Sequence, residues 1–253
     1  MILAVHIGNS TIKVGFLDGE QRIMSRTSIH KGMTVDDAML LLHTIAKLKQ
    51  ASLEVDGAIL SSVSPTLTHV FAQAIEQMTG VRPLIVGPGV KTGLNIKIND
   101  PSELGADLVC MSAGAIAKYP TPVLLLHVGN ATTISYVNEN NCFIGTIIAA
   151  GLRRMLDSLV RYADLLNPVN LDAPSKLFGT DSAESIQSGL IYGSAALLDG
   201  LCDRVFEQYE VATTVITGDH ASELKPHCRT EMILDDTLMF DGMVAILERQ
   251  KKK

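Results

Sequence analysis

Residues 2–16 read ILAVHIGNSTIKVGF, and residues 123–137 read VLLLHVGNATTISYV. Each begins with a short apolar run, bends through His-Ile/Val-Gly-Asn-Ser/Ala-Thr, and leaves in a second run. Aligned on the bend, His6 meets His127, Gly8 meets Gly129, Asn9 meets Asn130 and Thr11 meets Thr132. Matches at equivalent points of two half-chains read as a duplicated unit. The plainer reading is two unrelated hairpins that share Gly-Asn turn chemistry. Each copy predicts a strand, a tight bend and a returning strand, because four or five consecutive apolar residues suit a strand buried on both faces. Gly8 and Gly129 have no Cβ, so backbone amides there can come close to a ligand. Successive amides in such a bend form an anion-binding concavity, and Asn, Ser and Thr side chains add donors. Two such cradles facing each other across a cleft would suit a nucleoside triphosphate.

At 253 residues the chain can bury a sizeable core in one large or two small domains. The repeat favours two, residues 1–118 and 119–253. Apolar residues make up 47% and charged residues 19%, which excludes a disordered chain. A net charge of −6 with no basic stripe argues against nucleic acid as a partner. The terminal run Arg249-Gln250-Lys251-Lys252-Lys253 reads as a solvated end. The N-terminal apolar run stops at His6, too short for the core of a secretory signal. No apolar stretch approaches the ~20 residues of a membrane-spanning helix. Cys110, Cys142, Cys202 and Cys228 show no metal-type or redox-type spacing, so a reduced, cytosolic protein is the default.

Beyond the first hairpin, Asp18-Gly19 marks a turn into a third strand over 21–28. Thr34, Asp36 and Asp37 then give an N-cap and an acidic first turn to an amphipathic helix. A buried strand over 58–62 precedes Ser64-Pro65, where Pro opens a helix. Residues 87–107 read GPGVKTGLNIKINDPSELGAD. This segment is either a loop lining a substrate pocket or an ordinary strand-to-helix connection. Asn99-Asp100-Pro101 predicts a helix start. Asp107 follows Gly105 and Ala106, small residues that leave room for a substrate hydroxyl near a carboxylate base. Its other reading is a first-turn acid favoured by the helix dipole.

The second half repeats the plan. After its hairpin and a strand over 143–148, Gly151 leads a helix with Leu152, Met155, Leu156, Leu159 and Ala163 on one face. Arg153 and Arg154 near its start are either solvated or serve an anion. A Pro- and Gly-containing loop over 167–181 leads to a long helix, whose Gly189, Gly193, Ala195 and Ala196 offer a small-residue face for close packing, within the chain or in a dimer. A strand over 213–217, the turn Gly218-Asp219 and a last helix over 237–249 complete the chain.

The order of these motifs resembles the type III pantothenate kinases, members of the actin-like, hexokinase-like ATPase-fold superfamily. The matching pieces are the first hairpin, Ser61-Ser62-Val63-Ser64-Pro65, GPGVKTGLNIK, NDPSELGAD, the second hairpin, Gln187-Ser188-Gly189 and the C-terminal DDTLMFDGM. The resemblance spans nearly the whole chain. It implies an α/β fold of two duplicated actin/ribonuclease-H-like domains, each a mixed sheet flanked by helices, with a cleft between them. It implies ATP-dependent phosphorylation of pantothenate, the first step toward coenzyme A, by a cytoplasmic homodimer. Mg²⁺ would accompany the nucleotide, with a monovalent cation, K⁺ or NH₄⁺.

Carried over by position, His6, Ile7, Gly8, Asn9, Ser10, Thr11, Ile12 and Lys13 belong to the first phosphate loop. Gly129, Asn130 and Thr132 belong to the second. Gly105, Ala106, Asp107 and Leu108 would contact pantothenate, with Asp107 taking the hydroxyl proton. Ser182 stands for a substrate-contacting threonine, and His127 falls on the metal position. Members resembling this chain carry acidic residues where His6 and His127 stand. They have an arginine in place of Leu108, a threonine in place of Asn130, and Gly-Gly in place of Gly218-Asp219. Three functions follow: a working kinase with an altered metal arrangement, a non-catalytic nucleotide- or protein-binding regulatory module, or a kinase-fold enzyme with another substrate or metal. The two histidines are either neutral hydrogen-bonding groups or ligands of a softer metal, Zn²⁺ or Mn²⁺, or of an anion. Two ligands do not complete a zinc site.

Overall fold

The computed structural model describes residues 1–19, 21–30, 32–163 and 165–251; Lys252 and Lys253, the tip of the basic terminal run, lie outside them. In chain order the strands are β1 (Ile2–Ile7), β2 (Thr11–Asp18), β3 (Gln21–Ser28), β4 (Gly57–Ser62), β5 (Leu84–Ile85), β6 (Asn95–Ile96), β7 (Val123–Val128), β8 (Ala131–Val137), β9 (Cys142–Ala150), β10 (Thr213–Thr217) and β11 (Ile233–Leu234). The α-helices are α1 (Val35–Lys49), α2 (Pro65–Thr79), α3 (Ala106–Lys118), α4 (Leu152–Arg161), α5 (Ser182–Phe206), α6 (Ala221–Leu224) and α7 (Leu238–Lys251).

These elements form two compact units. One comprises Met1–Lys118 and the segment from Thr237 onward; the other is Tyr119–Asp236. The strands of the first run β3-β2-β1-β4-β5, and those of the second run β9-β8-β7-β10-β11. The pairings match step for step. β1–β2 and β2–β3 are antiparallel and β1–β4 and β4–β5 parallel. β7–β8 and β8–β9 are antiparallel and β7–β10 and β10–β11 parallel. The same mixed sheet is built twice.

In the first unit, Leu3, Val5 and Ile7 of β1 and Ile12, Val14 and Phe16 of β2 meet Ala38, Leu42, Leu67, Phe71 and Ile75 of α1 and α2. Side chains alternate across a strand, so Ala4 and His6 face the other side. Helix α1 starts on a reciprocal cap: Thr34 Oγ1 accepts the Asp37 N–H at 3.2 Å, and the Thr34 N–H donates to Asp37 Oδ2 at 2.8 Å. Such a cap contributes about 1 kcal/mol. In the second unit, Leu124, Leu126 and Val128 of β7 and Ile134 of β8 meet Leu152 and Leu156 of α4 and Ile186, Leu190, Ile191 and Leu198 of α5.

Helix α7 joins the first unit, not the second as the linear division at residue 119 placed it. The reason lies in its contact with α3. A Cβ on Gly242 would stand 1.7 Å from the Cys110 carbonyl oxygen, and one on Gly114 would stand 2.3 Å from that of Leu238. The two helices therefore cross backbone against backbone. Phe240 fills the space above Gly15 of β2, and Leu238, Met243 and Ile246 have no exposure at all. Each such side chain contributes on the order of 2 kcal/mol on burial. Asp241, 9% exposed, accepts from Lys118 Nζ at 2.7 Å and Thr237 Oγ1 at 2.7 Å, and pairs with Arg22.

Three local expectations are corrected. The Pro101 start yields only a 3₁₀ turn, Pro101–Glu103, with Asp100 capping the Ser102 N–H at 2.9 Å. In α4, which ends at Arg161, Leu152 and Leu156 are buried while Leu159 is 44% exposed. On α5, a Cβ at Gly189 or Gly193 meets nothing within 4 Å among the described residues, so these glycines are not close-packed within their unit.

Candidate functional site

The two bends begin alike and close differently. Ile7 pairs with Ile12, leaving residues 8–11 in the first bend, whereas Val128 pairs with Thr132, leaving residues 129–131 in the second. The second bend is one residue shorter. Sequence alignment set Thr11 against Thr132; by strand register Thr132 takes the place of Ile12, and Ala131 that of Thr11. A single-residue offset exchanges the faces of a strand, which is why Thr132 is buried while Thr11 is half-exposed. In the first bend the Gly8 N–H donates to the Thr11 carbonyl oxygen at 2.9 Å; in the second the Gly129 N–H donates to that of Ala131 at 3.1 Å. Asn9 is exposed, while Ser10 and Asn130 are half-buried. The Ser10 carbonyl accepts the Ile29 N–H at 3.0 Å and the Asn130 carbonyl the Gly151 N–H at 3.1 Å.

In both copies the histidine ring lies against the glycine two residues on. A Cβ on Gly8 would stand 3.4 Å from His6 Nε2, and one on Gly129 would stand 2.7 Å from His127 Cε1 and 3.1 Å from its Nε2. His6 is only 6% exposed, and its Nδ1 lies 3.2 Å from Ser61 Oγ on the neighbouring parallel strand. His127 is half-buried, and the residue beside it on β10 is the buried Thr217. Across the antiparallel pairing, Lys13 stands opposite His6 and Thr133 opposite His127. The second bend is further enclosed by backbone. A Cβ on Gly151 would meet the Gly129 carbonyl oxygen at 2.1 Å, and one on Gly218 would meet that of Val128 at 2.5 Å. Arg153 and Arg154 beyond Gly151 are exposed, and Arg154 pairs loosely with Asp157 at 3.7 Å.

Asp107 lies half-buried in the first turn of α3, where the helix dipole favours a carboxylate. The room next to it has a different use from the one the sequence reading gave it. A Cβ on Gly105 would stand 2.4 Å from Asp107 Oδ1, so the missing side chain accommodates the carboxylate itself. Oδ1 also accepts the Leu108 N–H at 2.9 Å. Ala106 is the first residue of the helix, and the Leu108 side chain is buried in the core. Ser182, in the other unit, is exposed at the start of α5 behind the cap Asp181.

Two features escaped the sequence reading. The first is Ser61 with Cys110: the Cys110 thiol, fully buried on α3 and pushed up to about 12 by desolvation, meets the Ser61 hydroxyl. The second is the end of α7. Arg249, read as part of a solvated tail, lays its guanidinium on Gly93, where a Cβ would stand 2.6 Å from Cζ. Gln250 Nε2 donates to the Lys91 carbonyl oxygen at 2.8 Å. The glycine-rich 87–93 loop is thus fastened by residues more than 150 positions away. Gly93 has φ +84°, a conformation glycine adopts freely.

Among the described residues, no three His, Cys, Asp or Glu side chains converge as a metal site. Hard cations take oxygen ligands, and the side chains lying on the two glycines are imidazoles. An imidazole is a poor ligand for such a cation. Among the described residues no helix is long and apolar enough to cross a membrane.

Comparison with known proteins agrees with this architecture. Residues 2–204 match the family model of type III pantothenate kinase. A type III pantothenate kinase of Exiguobacterium sp. strain AT1b is 34% identical over 254 residues, covering all of both chains. That of Geobacter sulfurreducens is 33% identical over 255 residues, again covering all of both. Among solved structures, the activator of 2-hydroxyisocaproyl-CoA dehydratase from Clostridium difficile with bound ADPNP has a TM-score of 0.58 at 13% identity, over 100% of this chain and 97% of that one. Such likeness shows the actin/hexokinase-like fold. Full-length identity to curated relatives, the family model and the twice-built mixed sheet agree: this chain belongs to the type III pantothenate kinase family.

Proposed function

We propose that this chain transfers the γ-phosphoryl group of ATP to the hydroxyl of pantothenate. The observation that carries the reading is the Asp107 carboxylate, fixed at the start of α3 beside Gly105 in a chain of this family. Pantothenate's hydroxyl oxygen attacks the γ-phosphorus, its proton passes to Asp107, and the bond from the γ-phosphorus to the bridging oxygen breaks as ADP leaves. Positioning and charge stabilisation dominate such transfers. The bends at 6–13 and at Gly129, Asn130 and Thr132 take the phosphates, and Ser182 offers a hydroxyl to the acceptor. The divalent metal implied by the family arrives with the nucleotide as part of the substrate. A monovalent cation, K⁺ or NH₄⁺, has no assigned role in this reading, and His127 acts as a hydrogen-bonding group.

Incubation with ATP, Mg²⁺ and pantothenate is expected to give phosphopantothenate by mass spectrometry, and Asp107→Asn to lower turnover by about 10²-fold or more. Nucleotide binding without product would sink the kinase reading in favour of a regulatory binding module. Self-association in the cytoplasm belongs to the same reading. It is supported by the open Gly189 and Gly193 positions on α5 and the 41% exposed Leu197 beside them. Sedimentation velocity showing only monomer at micromolar concentration would remove it.

A further inference from the structure

Arg153 and Arg154 stand in the first turn of α4, where the helix dipole disfavours cations. The turn carries no acid, and its N-cap, Gly151, supplies no side-chain hydrogen bond. Nothing local offsets the two guanidiniums. Among the described residues Arg153 has no hydrogen-bond or ion-pair partner, and Arg154 reaches only Asp157, at 3.7 Å. Arg154 and Asp157 are both more than half exposed, so their pair contributes little.

The position of the turn decides whether these arginines are merely solvated or serve an anion. β9 runs beside the second bend, with Ala150 paired to Ala131. The next residue, Gly151, donates its N–H to the Asn130 carbonyl oxygen at 3.1 Å. A Cβ there would stand 2.1 Å from the Gly129 carbonyl oxygen and 2.7 Å from that of Asn130. Helix α4 thus starts with its backbone pressed against the bend, and Leu152 and Leu156 anchor it in the core. Arg153 follows Gly151 by two residues, about 3 Å along the axis. Helical side chains lean back toward the N-terminus, which here is toward the bend. The bend's own side chains, Asn130 and Thr132, are uncharged, whereas a nucleotide's phosphate tail carries several negative charges. We propose that Arg153 is a binding residue of the second bend: its guanidinium takes a phosphate oxygen of the nucleotide lying there, with Arg154 adding charge behind it. The planar guanidinium suits a phosphate, and such charge-assisted bonds are stronger than neutral ones.

The assignment rests on the kinase reading for its nucleotide, but the anion site can be probed without one. Calorimetric titration of the full-length protein uses inorganic tripolyphosphate, Mg·ATP and adenosine. Arg153→Gln is expected to weaken tripolyphosphate and Mg·ATP about three- to tenfold, and Arg153→Lys to keep most of the affinity. Adenosine, which has no phosphate, should bind all three proteins alike. Stability should not follow affinity: with a cation removed from the positive end of α4, ligand-free Arg153→Gln should melt no lower than the unaltered protein. Equal affinity of Arg153→Gln and unaltered protein for both phosphate ligands would overturn the proposal. So would a lower melting temperature together with weakened adenosine binding, which would make Arg153 merely structural. If the unaltered protein binds tripolyphosphate but neither Mg·ATP nor adenosine, the kinase reading falls, and the Arg153 comparison with tripolyphosphate still decides the anion site. Failure to bind tripolyphosphate or Mg·ATP at all would overturn both.

Discussion

The bend between β1 and β2 spans residues 8–11; the bend between β7 and β8 spans residues 129–131. Their sequences are close enough to align by eye, and the sheets around them repeat in order and direction. Each bend is closed by its own hydrogen bond and has a histidine ring against its glycine; in the first that ring, His6, lies beside the Ser61 hydroxyl. The second is enclosed in addition by backbone from elsewhere in its unit, with Gly151 and Gly218 crowding the carbonyls of Gly129 and Val128. Duplication has preserved the scaffold and changed what supports the bend. Side-chain support can adjust by rotating a ring. Backbone support cannot, because interiors are close-packed.

That contrast is open to direct attack. The largest effect is expected from Gly151→Ala, whose Cβ would stand 2.1 Å from a carbonyl oxygen. Urea denaturation should show the second unit destabilised by about 3 kcal/mol. A loss below about 0.5 kcal/mol, within the range of surface substitutions, would mean that the second bend yields as readily as the first. A smaller effect is expected at the ring contacts. Gly129→Ala would drive a Cβ to 2.7 Å from the His127 ring, whereas Gly8→Ala would leave 3.4 Å to His6. Calorimetric titration with Mg·ADP should find binding weakened about tenfold in the first and about twofold in the second, the span of one modest contact. The reverse order would break the comparison.

The smallest effect separates the units by pH. Tyr119, in the second unit, is pushed up to about 12 by burial and then by donating to Asp235 at 2.7 Å beside its charge. The folded state therefore favours the protonated phenol. This contribution is complete below the unfolded value near 10 and is lost as pH rises from there toward 12. Thermal melts of Tyr119→Phe should decline less steeply than wild type across that window. An identical slope would show that the pair adds nothing.

Much of the fold was legible because its signals are local. The strand over 21–28, the Thr34 cap, Pro65 at a helix start and the strand over 213–217 all follow from patterns a few residues long. The duplication was legible because its letters repeat. What the letters did not carry was the one-residue deletion in the second bend, since matching threonines gave an alignment that strand register overrules. Nor did they carry the place of α7, which depends on Gly114 and Gly242 meeting across more than 100 residues. At the candidate site, Asp107 and the two Gly-Asn bends were visible as motifs. Ser61, Cys110 and Arg249 were not assigned roles, because each acquires its meaning only from a partner that folding brings to it.

The return of α7 has a consequence for how the molecule is made. The first unit is discontinuous: its sheet is translated early, but the helix that crosses α3 emerges last. The inserted Tyr119–Asp236 unit can finish folding at the ribosome while the groove along α3 still waits. A message truncated before Thr237 would release a chain whose later half is complete and whose earlier half is not, with the bare α3 surface open to chaperones.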